Sequence, residues 1–163
     1  MGIDVQEAIK RSMQTEKNAM NFYQLGSQRM KDPDARRIFE TLAREEREHA
    51  GHFYRVYRGT DIPSLEGFLD IPADNESSWI SSLSKIIAAD FSEQKALELA
   101  MEKEQNLEIA LRESAAKVAD EDVRTVYEWN AHETHNHYLL IAAEYSRIMG
   151  MVDETDMDIF VRE

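Results

Sequence analysis

The chain is predicted to fold as an all-α four-helix bundle, built from two αα-hairpins joined by a long crossover connection. Three observations lead there. Helix breakers are few and clustered: there are 6 Gly, and the 3 Pro are at 33, 63 and 72, so long stretches run uninterrupted. Within those stretches apolar residues recur at three- and four-residue spacing, the signature of one buried helix face. Finally, the second half of the chain repeats the first at a constant shift of 88 residues.

The first segment is expected over 4–30. Asp4 sits three residues ahead of Glu7, a capping-box-like start, and Ile9, Met13, Ala19 and Tyr23 follow at helical spacing. A polar link, Lys31-Asp32-Pro33-Asp34, leads into the second segment, 33–57, with Ile38, Leu42, Phe53 and Val56 on one face. So short a turn makes the two helices antiparallel neighbours, a hairpin over 4–57. From 58 to 90 the texture changes: Gly59, Pro63, Gly67 and Pro72 break the periodicity and five serines follow at 77, 78, 81, 82 and 84. This is the crossover, with one short helix expected over 79–89. The third segment, 92–118, opens on Ser92-Glu93, a hydroxyl cap followed by an early acid, and places Leu97, Ala100, Leu107 and Leu111 in a stripe. The fourth, 122–149, closes the second hairpin over 92–149, and 150–163 is left as a C-terminal tail.

The repeat is gapless. It pairs Gln6 with Gln94, Ala8 with Ala96, Met13 with Met101, Glu16 with Glu104 and Asn18 with Asn106; then Asp32 with Asp120, Asp34 with Asp122, Arg36 with Arg124 and Glu40 with Glu128; and finally Ala43 with Ala131, Glu45 with Glu133, His49 with His137 and Tyr57 with Tyr145. These 13 identities fall over about 70 positions, which a duplicated helical hairpin explains.

Composition narrows the chemistry. There is no cysteine, so disulfides, thiolate metal sites, iron–sulfur clusters and a cysteine nucleophile are all excluded. With 32 acidic against 19 basic residues, a net charge of -13, the chain repels polyanions, and nucleic acid is not an expected partner. Charged residues interrupt every apolar run near Met1, and no run approaches the roughly 20 residues of a membrane helix. A cytoplasmic protein without a membrane partner is expected.

Some of the repeated polar residues fall in the apolar stripes. Glu16 lies between Met13 and Ala19, and Glu104 between Ala100 and Leu111, so both carboxylates point inward. Glu46 and His49, one turn apart, project from the core face of the second helix. Several buried carboxylates repel one another unless protonated or neutralised by a multivalent cation. Carboxylates and imidazoles without thiolate suit iron or manganese, with zinc able to substitute. In the di-metal bundles each of two helices gives one Glu and each of the other two a Glu-x-x-His pair, and this set approaches that arrangement.

The residues Glu16 with Phe22-Tyr23, the string Leu42-Ala43-Arg44-Glu45-Glu46-Arg47-Glu48-His49, and Glu104 resemble the rubrerythrin branch of the ferritin-like superfamily over nearly the whole chain. The resemblance implies a two-iron site with Glu16, Glu46, His49 and Glu104 as ligands, Glu46 and Glu104 as bridges, and Tyr23 as a donor steadying a ligand carboxylate. It also implies an oxidoreductase that reduces peroxide or dioxygen while oxidising ferrous iron, an external electron donor, and a homodimer.

Three departures qualify this. In the fourth helix the residue three after Glu133 is Asn136, where the family pair has histidine. The repeat instead makes His137 the counterpart of His49 and sets Thr134 at the position of Glu46. Glu133 and His137, one turn apart, are taken as the remaining ligand pair, with Asn136 as the competing position for the histidine; His132 and His135 are expected at the surface. Leu107 stands where rubrerythrins carry an extra glutamate, and the cysteine-rich rubredoxin-like module has no counterpart here. A non-redox metal-binding or iron-handling bundle is therefore the alternative function.

Overall fold

In the computed structural model residues 4–150 are described, and they form six helices and no strand. The four long ones are α1 (Val5–Arg29), α2 (Pro33–Val56), α5 (Glu93–Lys117) and α6 (Glu121–Ile148). The crossover carries two more, α3 (Leu65–Leu69) and α4 (Ser78–Asp90). Only α4 was expected there; α3 is a five-residue turn capped by Ser64 in a segment whose Gly and Pro hide any periodicity. Most of the expected tail, from residue 151 onward, lies outside the described residues.

Each long helix starts where a side chain takes up the free backbone N–H groups of its first turn. Asp4 accepts from Glu7 N, Asp32 from Asp34 N and Ala35 N, Ser92 from Lys95 N, and Asp120 from Val123 N. Pro33 follows the Asp32 cap directly, where its missing N–H costs nothing. Asp120 rather than a later residue is the cap of α6, so that helix begins one residue earlier than expected.

α1 packs along α2 and α5 along α6, giving the two hairpins. The crossover runs from the end of α2 back to the opposite end of the bundle, so α5 descends parallel to α2. On the way α4 lies against α1 and α5, setting Trp79, Ile80 and Leu83 into the core. Trp79 meets Phe22 edge-on at 5.4 Å, and the rings of Phe22, Tyr23 and Phe39 complete an aromatic block. Gly26 permits the close approach of α1 to α2: a Cβ there would stand 2.6 Å from the Phe39 ring.

One end of the bundle is tied by charge. Glu93, in the first turn of α5, accepts the backbone N–H groups of Lys31 and Asp32 in the α1–α2 turn. Arg147, near the end of α6, donates to Asp32 at 2.8 Å and to Glu144. At the other end the polar links between hairpins lie further in, Ser12 with Tyr127 at 2.8 Å and His52 with Asn130 at 3.4 Å. No described helix is long and apolar enough to cross a membrane.

Candidate metal centre

Midway along the bundle all four long helices turn a polar side chain inward. Glu16 comes from α1, Glu46 and His49 from α2, Glu104 from α5, and Thr134 and His137 from α6; none is more than 2% exposed. The level is set by counting: Glu16 is 13 residues before the last residue of α1 and Glu46 13 after the first of α2, so the hairpin turn places them side by side.

Glu46 is at the centre. His49 Nδ1 lies 3.0 Å and His137 Nδ1 3.3 Å from its Oε1. His49 Nδ1 is 3.7 Å from Glu16 Oε2, and His137 Nδ1 stands at the same distance from Glu104 Oε1. The two imidazoles face each other nearly parallel, their centroids 4.9 Å apart. One ligand atom from each of Glu46, His49 and His137 fits within 4.8 Å of the others, the span of a shared cation site.

What surrounds these groups separates a ligand cage from an ordinary buried network. Buried polar atoms are almost always hydrogen-bonded. Here both oxygens of Glu16 and of Glu46, Oε2 of Glu104, Thr134 Oγ1 and the Nδ1 atoms of both histidines are buried without a hydrogen-bond partner. Close approach without hydrogen-bond geometry is what donors aimed at a common cation look like. Three carboxylates, two imidazoles and no thiolate fit first-row divalent ions, iron and manganese foremost.

The groups behind the cluster are paired. Tyr23 donates its hydroxyl to Glu104 Oε1 at 2.6 Å. Glu45 Oε1 lies 2.9 Å from His137 Nε2. A proton held on Nε2 toward Glu45 leaves the lone pair of Nδ1 facing the cluster.

Electrostatics record the crowding. Burial and then the charge of Glu46 push the Glu16 carboxyl up to about 7. Burial and Glu46 likewise raise Glu104. Burial opposes ionisation of Glu46 as well, but His137 and His49 outweigh it and hold that carboxyl low. Burial disfavours the imidazolium forms, yet Glu16 and Glu46 raise His49 to about 10, and Glu104, Glu45 and Glu46 raise His137 further. Burial and Glu104 raise the Tyr23 hydroxyl. Without a cation, the cluster balances its charge with protons.

Of the residues singled out from the sequence, Glu16, Glu46, His49, Glu104 and His137 converge, with Tyr23 behind Glu104. Glu133 is not brought into the cluster. It is half-buried on the rim of a cleft of about 530 Å³ between α2 and α6, alongside Glu45, Glu48, His49, His52 and Trp129. A one-residue step turns a helix by about 100°, so Thr134 takes the inward position and Glu133 the edge. Asn136 is exposed and donates to Glu133 at 3.3 Å, so His137 rather than Asn136 faces inward. His132 is exposed and His135 pairs with Glu108 at 3.0 Å. Leu107 is buried among apolar neighbours and adds no carboxylate. Glu45, the repeat partner of Glu133, carries no sign in the sequence of its role beside His137, because contact with an imidazole on another helix leaves no mark there.

No curated protein and no solved structure matches the chain. The Rubrerythrin family model matches residues 7–145, a span that includes every member of the cluster. The chain, an all-helical bundle with a Glu/His cluster at its centre, belongs to the Rubrerythrin family.

Proposed function

We propose that this protein is a di-iron oxidoreductase that reduces peroxide or dioxygen with oxidation of ferrous iron. The observation that carries the proposal is the crowding about Glu46 of buried ligand atoms without hydrogen-bond partners: both oxygens of Glu16 and of Glu46, Oε2 of Glu104 and the Nδ1 atoms of His49 and His137. Glu16 and His49 would hold one ion, Glu104 and His137 the other, and Glu46 would be shared. Two ferrous ions would supply the two electrons that cleavage of an O–O bond requires.

The chain's own contributions follow from its geometry. The apolar and aromatic wall of Phe22, Tyr23 and Trp79 keeps water from the α1–α5 side. Tyr23 fixes Glu104, and Glu45 fixes the orientation of His137. The cleft that reaches His49 between α2 and α6 is the way in for a small oxidant. Its rim carries Glu45, Glu48, Glu133 and His52, which keep the entrance polar.

A second reading, a non-redox metal-binding or iron-handling bundle, is favoured by one observation: Thr134 stands where symmetry with Glu46 calls for a carboxylate. Iron-supplied anaerobic expression, metal analysis and rapid mixing with hydrogen peroxide separate the two. About two irons per chain and ferrous oxidation far faster than in Glu46→Ala support the oxidoreductase; stoichiometric zinc without turnover overturns it. We also propose that the protein is cytoplasmic, works with an external electron donor and pairs as a homodimer. Sedimentation velocity tests the pairing, a single species at the 18.9 kDa of one chain speaking against it.

A further inference from the structure

The 88-residue shift pairs Glu16 with Glu104 and His49 with His137, and all four side chains reach the cluster. It also pairs Glu46 with Thr134, so the central carboxylate of one half is answered by a short neutral hydroxyl in the other. Thr134 is fully buried and its Oγ1 has no hydrogen-bond partner. Helical threonines commonly bond back to the carbonyl one turn earlier, as Thr15 does to Arg11 at 3.0 Å. Thr134 does not, and its hydroxyl is left without a partner on the buried face of α6, one turn before His137.

Charge points the same way. Glu16, Glu46 and Glu104 supply three negative charges, one fewer than two divalent cations need, and uncompensated charge is costly where water is excluded. Glu45 does not replace the missing ligand, because it stands on the far side of the His137 ring, partly in solvent. The deficit falls in the half formed by Glu104 and His137.

We propose that a small carboxylate-type oxyanion binds beside Thr134, in the place of the absent carboxylate. It accepts a hydrogen bond from Thr134 Oγ1 and serves as the missing anionic donor to the ion held by Glu104 and His137. Threonine is shorter than glutamate by about one carboxylate group, which limits the guest to one or two carbons; formate and bicarbonate both present the required planar pair of oxygens. The inference rests on the two-metal reading above.

Cobalt(II) titration of the full chain in a non-coordinating buffer tests it, with sodium formate, sodium bicarbonate or sodium chloride added. The readouts are cobalt per chain, the affinity of the second ion by chelator competition, and the visible cobalt bands. Formate or bicarbonate, but not chloride, is expected to tighten the second cobalt about tenfold and shift its bands, and whichever acts at the lower concentration identifies the preferred guest. Thr134→Val should lose most of this response. Thr134→Glu, carrying its own carboxylate, should take two cobalts without any anion and ignore formate; if it fails to fold, Thr134→Val decides. Two cobalts bound with no anion response, or an undiminished response in Thr134→Val, overturn the anion site alone. No second cobalt in the wild type or either variant under any condition overturns the two-metal reading, and the anion site with it.

Discussion

The imidazole rings of His49 and His137 lie within 6° of parallel, 4.9 Å apart, although 88 residues separate them. Each ring is fixed from a different hairpin, and both Nδ1 atoms turn toward Glu46. Under the two-metal proposal each imidazole would serve one ion, with Glu46 between them.

His137→Ala is therefore expected to lower bound metal by about one ion per chain, while Asn136→Ala leaves it unchanged. Elemental analysis of the two variants beside the wild type decides; metal loss in the asparagine variant alone would reverse the assignment of the inward face.

Glu46 and Glu133 should differ sharply. Glu46→Ala removes the carboxylate both histidines approach, and metal binding should be lost. Glu133→Ala removes a rim group outside the cluster, so retained stoichiometry and nearly unchanged affinity are expected. Chelator competition on the two purified variants gives the comparison.

Tyr23→Phe leaves Glu104 Oε1 without its donor in a fully buried setting. The apoprotein should lose about 1–3 kcal/mol, the cost of orphaning a buried acceptor, read as a lower urea midpoint with an unchanged slope. Unaltered stability would mean that Glu104 is protonated or finds another donor.

The apoprotein should become less stable as pH rises from 5 to 9. Glu16 is raised from 4.5 to about 7 and His49 from 6.5 to about 10, so both bind protons more tightly folded than unfolded. The stability they contribute is complete below pH 4.5 and fades as pH climbs through 7 and then 10. Glu46, held low, acts oppositely, its contribution being lost only as pH falls below 4.5. Metal displaces the same protons, so the loaded protein should gain in relative stability with rising pH. Urea unfolding of both forms at pH 5, 7 and 9 checks the sign.

Gly26→Ala offers a test of packing away from the cluster. The added methyl would press on Phe39, itself wedged between Phe22 and Tyr23, so the gain in helix propensity is outweighed. A loss of about 1–3 kcal/mol is expected in thermal melts.

Helix boundaries were legible because their caps are local: Asp4, Asp32 and Ser92 each act within three residues of themselves. α3 was not, since five residues carry too little period to show. The inward carboxylates could be read from stripes, and the repeat carried His137. Glu133 falls in the arithmetic of a stripe through Asn130 and His137, but the buried face of α6 passes through Thr134, which sets Glu133 on the rim of the cleft. A threonine announces nothing about metals, and only the spatial pairing with Glu46 gives it meaning.

The link from Arg147 and Glu93 to the Asp32 turn has a consequence for motion. It latches both hairpins at one end, while toward the other end the links Ser12–Tyr127 and His52–Asn130 lie further in, so a separation of the hairpins is expected to be widest at Tyr57 and Val118. Amide exchange should therefore be asymmetric along each helix, faster on the Val118 side of Glu104 than on the Glu93 side. An ion arriving between the hairpins would act as a bolt set away from the hinge, slowing exchange most at the end farthest from Asp32.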